Sequence, residues 1–426
     1  MSQAELRTDL LNLAEAGLPD DGLRALRKTH LSDAMNRGFP TLRDEDWRYT
    51  NLAAAVNLSN DWLQALVDYG ARPAPELPAS LPEIDAYRLV IVDGLVDQVS
   101  LRALQAQLGT TLSVSPLRDH SARVLADGPL DTLNAALLQD GLYISVSADF
   151  VSDKPLAIFL HDGSCSASQA RIVIDVEAGA DIDLVEYHLA GNDAAHFANT
   201  VTQLRLAAGA RANIVRLQQR GRQHVQVGKL SAVLQRDARL SHAAFDLGGQ
   251  LVRNDIIADI RGPGAEVHLN GLYLADGEQH IDNHTRVDHR VGPAASREEY
   301  RGILNGRARC VFNGKAIVHK GADGSDAEQA NHNLLLSARA EIDTKPELEI
   351  YADDVKCAHG ATVGELDQAA IFYMQSRGLD REQAAHMLTR AFAARILSKL
   401  PIASLHNHIE AQIDARLDEL LQERSE

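Results

Sequence analysis

Gly179-Ala180-Asp181-Ile182, followed by the alternating run Asp183-Leu184-Val185-Glu186-Tyr187, contains the pattern that decides the fold. A turn residue, then alanine, then any residue and usually an apolar one, recurs as Gly209-Ala210-Arg211-Ala212, Asp237-Ala238-Arg239-Leu240 and Gly264-Ala265-Glu266-Val267. Looser copies are Arg307-Ala308-Arg309-Cys310 and Arg339-Ala340-Glu341-Ile342. The alanines are separated by 30, 28, 27, 43 and 32 residues. Short strands between small turn residues at a near-constant period indicate a solenoid, in which each coil buries its apolar face on the next. Alanine suits a tight corner beside a stacked coil. The competing arrangement is an antiparallel sandwich with similar turns. The long interval before Ala308 contains Gln279 to Gly292, read as an elaborated strand pair or loop.

Outward from this array the texture changes on both sides. Leu23, Leu26 and Leu31, and then Trp62, Leu63, Leu66 and Val67, have helical spacing. Between these stripes lies the polar segment Asp44-Glu45-Asp46-Trp47-Arg48-Tyr49-Thr50-Asn51. Four prolines between Arg72 and Pro82 mark a linker. Tyr87 to Val92 before Asp93-Gly94 reads as a strand into a turn, and Val96 with Val99 as a second short strand. Asp131 to Leu138 reads as a helix and Leu142 to Val146 as a strand. After Leu366 the period becomes 3.6. Asp380 with Gln383 forms a capping box ahead of the stripe Leu388, Phe392, Ile396 and Leu400. Gly378 closes the preceding helix. Pro401 precedes a last one through Ile409, Ile413, Leu417 and Leu420. The division expected is a helical region with its linker over 1–82, a solenoid over 83–365 and a helical domain over 366–426.

Composition narrows the function. The chain has 426 residues, 45% of them hydrophobic and 4% aromatic, so its core is filled by aliphatic side chains in thin layers. A formal charge of −17 argues against nucleic acid and anionic membranes as main partners. The opening Met1-Ser2-Gln3-Ala4-Glu5 shows no secretory pattern, no run suits a membrane helix, and three dispersed cysteines suit a reducing compartment. The expectation is a cytoplasmic protein.

Cys357 and His359 stand two apart between Asp353-Asp354 and Gly360-Ala361-Thr362. On a strand they share one face, where thiolate and imidazole can meet one metal such as zinc or iron. Two ligands are too few for a closed site. The plainer alternative is a small buried thiol beside a hydrogen-bonded histidine. In His280-Ile281-Asp282-Asn283-His284-Thr285-Arg286-Val287-Asp288-His289, alternate residues form a polar row that suits either a cation or cross-strand pairing. His319 and His332 flank a Gly/Asp-rich loop without the calcium-loop spacing. His406 and His408 read as surface residues at a helix start. Gly314-Lys315 continues into Ala316, so there is no nucleotide-binding P-loop. Serine-hydrolase, zinc-protease and Cys-x-x-Cys motifs are missing too.

The stretch Val355-Lys356-Cys357-Ala358-His359-Gly360-Ala361-Thr362-Val363-Gly364 resembles the hallmark of the SufB/SufD family of iron–sulfur cluster assembly proteins. Asp46-Trp47-Arg48-Tyr49-Thr50, Gln279-His280-Ile281-Asp282-Asn283, Asn333-Leu334-Leu335-Leu336-Ser337 and Phe372-Tyr373-Met374-Gln375-Ser376-Arg377-Gly378-Leu379 match in order, so the resemblance spans nearly the whole chain. No cysteine precedes Cys165, which favours the SufD type over the cysteine-richer SufB type. The resemblance implies a mainly β protein: a right-handed parallel β-helix between helical ends. It also implies a non-enzymatic scaffold subunit that pairs with a SufB-type subunit through the β-helix, or homodimerises when alone, and docks a SufC-type ATPase on its C-terminal helices. His359, then Cys357, become candidate ligands for iron or a nascent cluster at the subunit interface. Reduced flavin is associated with such complexes, with no residue here assigned to it. The alternatives are a SufB-like homodimeric scaffold and a solenoid enzyme of the polysaccharide-lyase type, which would need clustered carboxylates and exposed aromatics.

Overall fold

A computed structural model describes residues 5–69, 77–78, 80–163 and 165–422. Most of the proline-rich segment 72–82 lies outside them. The strands of the array alternate between two sheets, one of ten and one of nine strands, and pair in parallel with the strand one coil away. Antiparallel pairing is confined to the N-terminal coils, Tyr87–Val92 with Leu95–Val96 and Leu112–Pro116 with Leu142–Val146. This is a parallel β-solenoid. Its interior is an aliphatic core that includes Ile172, Ile182, Leu204, Leu240, Ile260 and Leu304, all essentially inaccessible.

The alanines occupy the corners. Ala180, Ala210, Ala238 and Ala265 are fully buried in one column, where each carbonyl accepts from the coil above: Arg211 N at 2.7 Å, Arg239 N at 2.9 Å, Glu266 N at 2.9 Å and Ala295 N at 3.0 Å. The residue before each alanine (Gly179, Gly209, Asp237, Gly264) has φ between 57° and 75°, the left-handed region that glycine enters freely and aspartate tolerates. Ala308 and Ala340 belong to the opposite corner, stacked above Gln279. The 43-residue interval is therefore a change of corner. Gln279 to Gly292 forms no elaborated pair or loop: His280–His289 is one regular strand of the nine-stranded sheet. The first column continues at Ala294, where Pro293 replaces the usual turn residue and hides the repeat.

Helices cover the solenoid. α1 (Thr8–Ala14), α2 (Arg24–Arg37) and α3 (Ala53–Tyr69) gather with α5 (Pro129–Leu137) over the nine-stranded sheet, burying Trp62, Leu63 and Leu66 with Phe197, Val225 and Leu251. α4 (Gln98–Gln107) occupies the stretch from which Val99 was read as strand. Val99 is exposed on it, while Leu101 and Leu104 plug the N-terminal end of the interior against Leu89 and Ile144. α6 (Gln368–Gln375), α7 (Arg381–Leu397) and α8 (His406–Gln422) lie on the ten-stranded sheet, where Ile396, Ile409, Ile413, Leu417 and Leu420 meet Leu272, Leu274 and Ile303. The capping box forms as read: Asp380 accepts from Gln383 N at 2.8 Å and Gln383 accepts from Asp380 N at 3.0 Å.

Candidate functional site

The strand Lys356–Gly364 is the last of the ten-stranded sheet. One edge pairs with Asp326–Leu335; no strand pairs with the other among the described residues. Cys357 lies in register with Ala327, and His359 with Gln329. Ala327 and Gln329 are buried and Glu328 between them is exposed, so the thiol and imidazole share the inward face, at the point where the solenoid stops. Cys357 is half-buried, which raises its thiol above the ordinary range; His359 is exposed. Ile350, Tyr351 and Val363 stand exposed around the same end.

The two candidate ligands thus share one face, as their spacing requires. They do not make a complete site. Among the described residues no group of three or more His, Cys, Asp and Glu side chains is placed to hold a metal ion. A thiolate and an imidazole are ligand types suited to iron, zinc or a cluster, and two of them are too few for a closed site.

The second polar row has another role. His280, Asp282, His284, Arg286 and Asp288 do share one face, on the outer side of the nine-stranded sheet. Asp282 is the hub of a clasp on the N-terminal segment. It accepts from Arg253 Nη1 at 2.6 Å and from the Thr50 hydroxyl, whose oxygen lies 2.9 Å from His280 Nε2. His284 Nε2 lies 3.0 Å away, and Arg253 stacks 4.3 Å from the Trp47 ring centroid. Burial alone would push the Asp282 carboxyl up, but Arg253, His284 and Thr50 outweigh it and hold it well below the usual carboxylate range. These contacts engage the row in pairing with neighbouring strands and with the N-terminal segment. Asp288 likewise takes His319 Nε2 at 2.8 Å. His408, read as a surface residue, is half-buried with Nε2 3.2 Å from the Tyr187 hydroxyl; His406 is exposed.

Reading by residue missed the inward-facing polar groups behind the site, Gln329 and Glu298. Their signal was the coil period itself, since 298, 329 and 359 are one coil apart and stack in register. Burial pushes the Glu298 carboxyl up to about 7, with the Thr285 hydroxyl easing it slightly.

The model of the family described as "SUF system FeS cluster assembly, SufBD core domain" matches residues 159–392. The iron–sulfur cluster assembly protein SufD of Escherichia coli K12 is 30% identical, over 91% of this chain and 92% of its own length. The chain belongs to the SufB/SufD family. It is of the SufD type and is a subunit of the SUF iron–sulfur cluster assembly system. A SufBD family protein of Synechocystis is 27% identical over 97% of this chain and 96% of its own, and the chloroplastic protein ABCI7 of Arabidopsis thaliana 24% over 91% and 86%. Segments that carried the resemblance meet in space: Thr50 clasps His280 and Asp282, and Met374 of α6 packs against the apolar cluster that contains Leu336.

Proposed function

We propose that this SufD-type chain is a non-catalytic scaffold subunit that supplies half of a ligand set at a subunit interface. The observation that carries the reading is the position of Cys357 and His359, side by side on a terminal strand whose outer edge has no strand partner among the described residues. A strand edge with free N–H and C=O groups and exposed Ile350, Tyr351 and Val363 is suited to a second solenoid. That occupant would be a SufB-type subunit in the complex, or a second copy when the chain is alone, and either would complete the coordination of iron or a nascent cluster held transiently. The solenoid carries no P-loop, so ATP hydrolysis falls to a SufC-type ATPase docked on α6–α8. There Phe372 and Tyr373 are exposed, next to a cleft of about 1110 Å³ lined by Leu366, Ile371, Leu379 and Met387. Among the described residues no helix is long and apolar enough to cross a membrane. Reduced flavin, if the complex uses it, has no residue assigned on this chain.

The test is cluster formation in the reconstituted complex, followed by iron and sulfide analysis. His359→Ala should lower cluster yield by about tenfold or more with the melting temperature unchanged, the scale expected for loss of a ligand or its support. Normal yield in that variant removes the ligand role.

A further inference from the structure

The two candidate ligands have different backing. Behind Cys357 the inward column runs through Ala327 to Ser296, whose hydroxyl is engaged by His289 Nε2 at 2.9 Å. Behind His359 it runs through Gln329 to Glu298 and stops at the fully buried Leu269. Gln329 is 4% exposed, and neither its Oε1 nor its Nε2 has a partner; Glu298 is 6% exposed, and neither carboxyl oxygen has one. Thr285, across the interior from Glu298, leaves its hydroxyl unengaged, close to the carboxyl but not aligned with it.

This contrasts with the rest of the same strand. Asn331 donates to the Tyr273 hydroxyl at 3.1 Å, Tyr273 donates to Asn333 Oδ1 at 2.5 Å, and Asn333 donates to Asn331 Oδ1 at 2.6 Å. Buried amides and carboxyls are almost always paired, so two unengaged ones adjacent in a column, directly behind an exposed imidazole, point to a partner outside the resting set. Neighbouring in-register side chains stand about 4.8 Å apart, within reach of a glutamine that turns about its own torsions.

We propose that Gln329 and Glu298 are positioning residues for His359. Gln329 Oε1 accepts the ring N–H that faces the interior, Gln329 Nε2 donates to the carbonyl oxygen of the Glu298 carboxyl group, and the hydroxyl of that carboxyl group pairs with Thr285. The chain fixes one tautomer and turns the remaining ring nitrogen toward the open edge. Metal-bound histidines usually have such support, and its loss costs about 10–100-fold in metal affinity or activity. The inference rests on the reading of His359 as a ligand, but its central readout does not.

The experiment uses the full chain with ¹⁵N-labelled histidine and reads the two ring-nitrogen shifts of His359, assigned by their loss in His359→Ala. In the native chain one tautomer is expected. Gln329→Leu should move both shifts toward a mixture and lower cluster yield in the reconstituted complex about tenfold, while Gln329→Glu, which keeps an acceptor, should restore the single tautomer. Glu298→Leu, an apolar replacement in an apolar core, should shift His359 in the same direction and serves if Gln329→Leu fails to fold. Unchanged His359 shifts in both Leu variants overturn the proposal, even if cluster yield falls, because a structural role alone would give that result. If His359→Ala instead keeps full yield while Gln329→Leu still mixes the tautomers, the ligand reading fails and the positioning chain stands.

Discussion

Glu298 is a carboxylic acid that the fold keeps protonated near neutrality, because burial without a cation disfavours the anion. Its folded value of about 7 lies above the ordinary 4.5, so the folded state binds the proton more tightly than the unfolded chain. This contribution is fully present below pH 4.5, declines between 4.5 and 7, and is lost above that. Glu298→Gln imitates the protonated form at every pH. The variant should match the native protein near pH 4.5 and exceed it by up to about 3 kcal/mol at pH 8, at 1.36 kcal/mol per pH unit. Urea unfolding of both proteins across that range is the measurement, and parallel pH profiles would refute the assignment. Asp282 is the opposite case, since Arg253 and its neighbours keep it ionised, and its stability is lost on acidification instead.

Neighbouring strands are fitted to each other by reciprocal size. Gly271 lies opposite Tyr300, and Tyr273 opposite Gly302, so each ring covers the glycine of the adjacent coil. A Cβ on Gly271 would fall 2.1 Å from the Tyr300 ring, and one on Gly302 2.2 Å from the Tyr273 ring. Both rings are fully buried and have nowhere to move. Gly271→Ala should therefore destabilise by about 1–3 kcal/mol, read as a lower urea midpoint at unchanged m-value. An unchanged midpoint would mean that the coils slide past each other more easily than this packing allows. The same elements show what the sequence could and could not reveal. Corner alanines and the capping box are local, so Ala180 to Ala265 and Asp380–Gln383 were legible. The switch of corner was not, because Pro293 breaks the pattern before Ala294 and the spacing alone cannot say which corner an alanine fills. Val99 misled because two valines three apart fit either a short strand or the first turn of α4, and only the plugging by Leu101 and Leu104 decides between them. The polar row 280–288 was legible as sharing one face, but its partners Thr50 and Arg253 lie 230 and about 30 residues away, beyond any local pattern.

At the scale of the whole molecule the solenoid is asymmetric. Its N-terminal end is plugged by α4, one outer face is covered by α1–α3 and α5, and the other is covered by α6–α8. The C-terminal helices are fixed through Arg416, whose guanidinium lies 3.0 Å from Asp276 and 2.8 Å from Gln279 at a solenoid corner. Among the described residues, the terminal strand with Cys357 and His359 and the outer surface of α6 stay uncovered. Phe372 is 72% exposed there and Tyr373 59%, with Arg377 donating to the Tyr373 hydroxyl at 3.0 Å. Neither ring supports the core, whereas Ile371 beside them is buried against the ten-stranded sheet. An aromatic pair held outward by an anchored helix is the arrangement expected of a contact hot spot. Phe372→Asp should cost at least tenfold in affinity for the SufC-type ATPase, about 1.4 kcal/mol or more, with little change in melting temperature. Ile371→Asp should instead unfold the helical layer. Titration of each purified variant with the ATPase, beside thermal unfolding, separates a docking face from a structural one. Undiminished binding by Phe372→Asp would move the docking site to another surface.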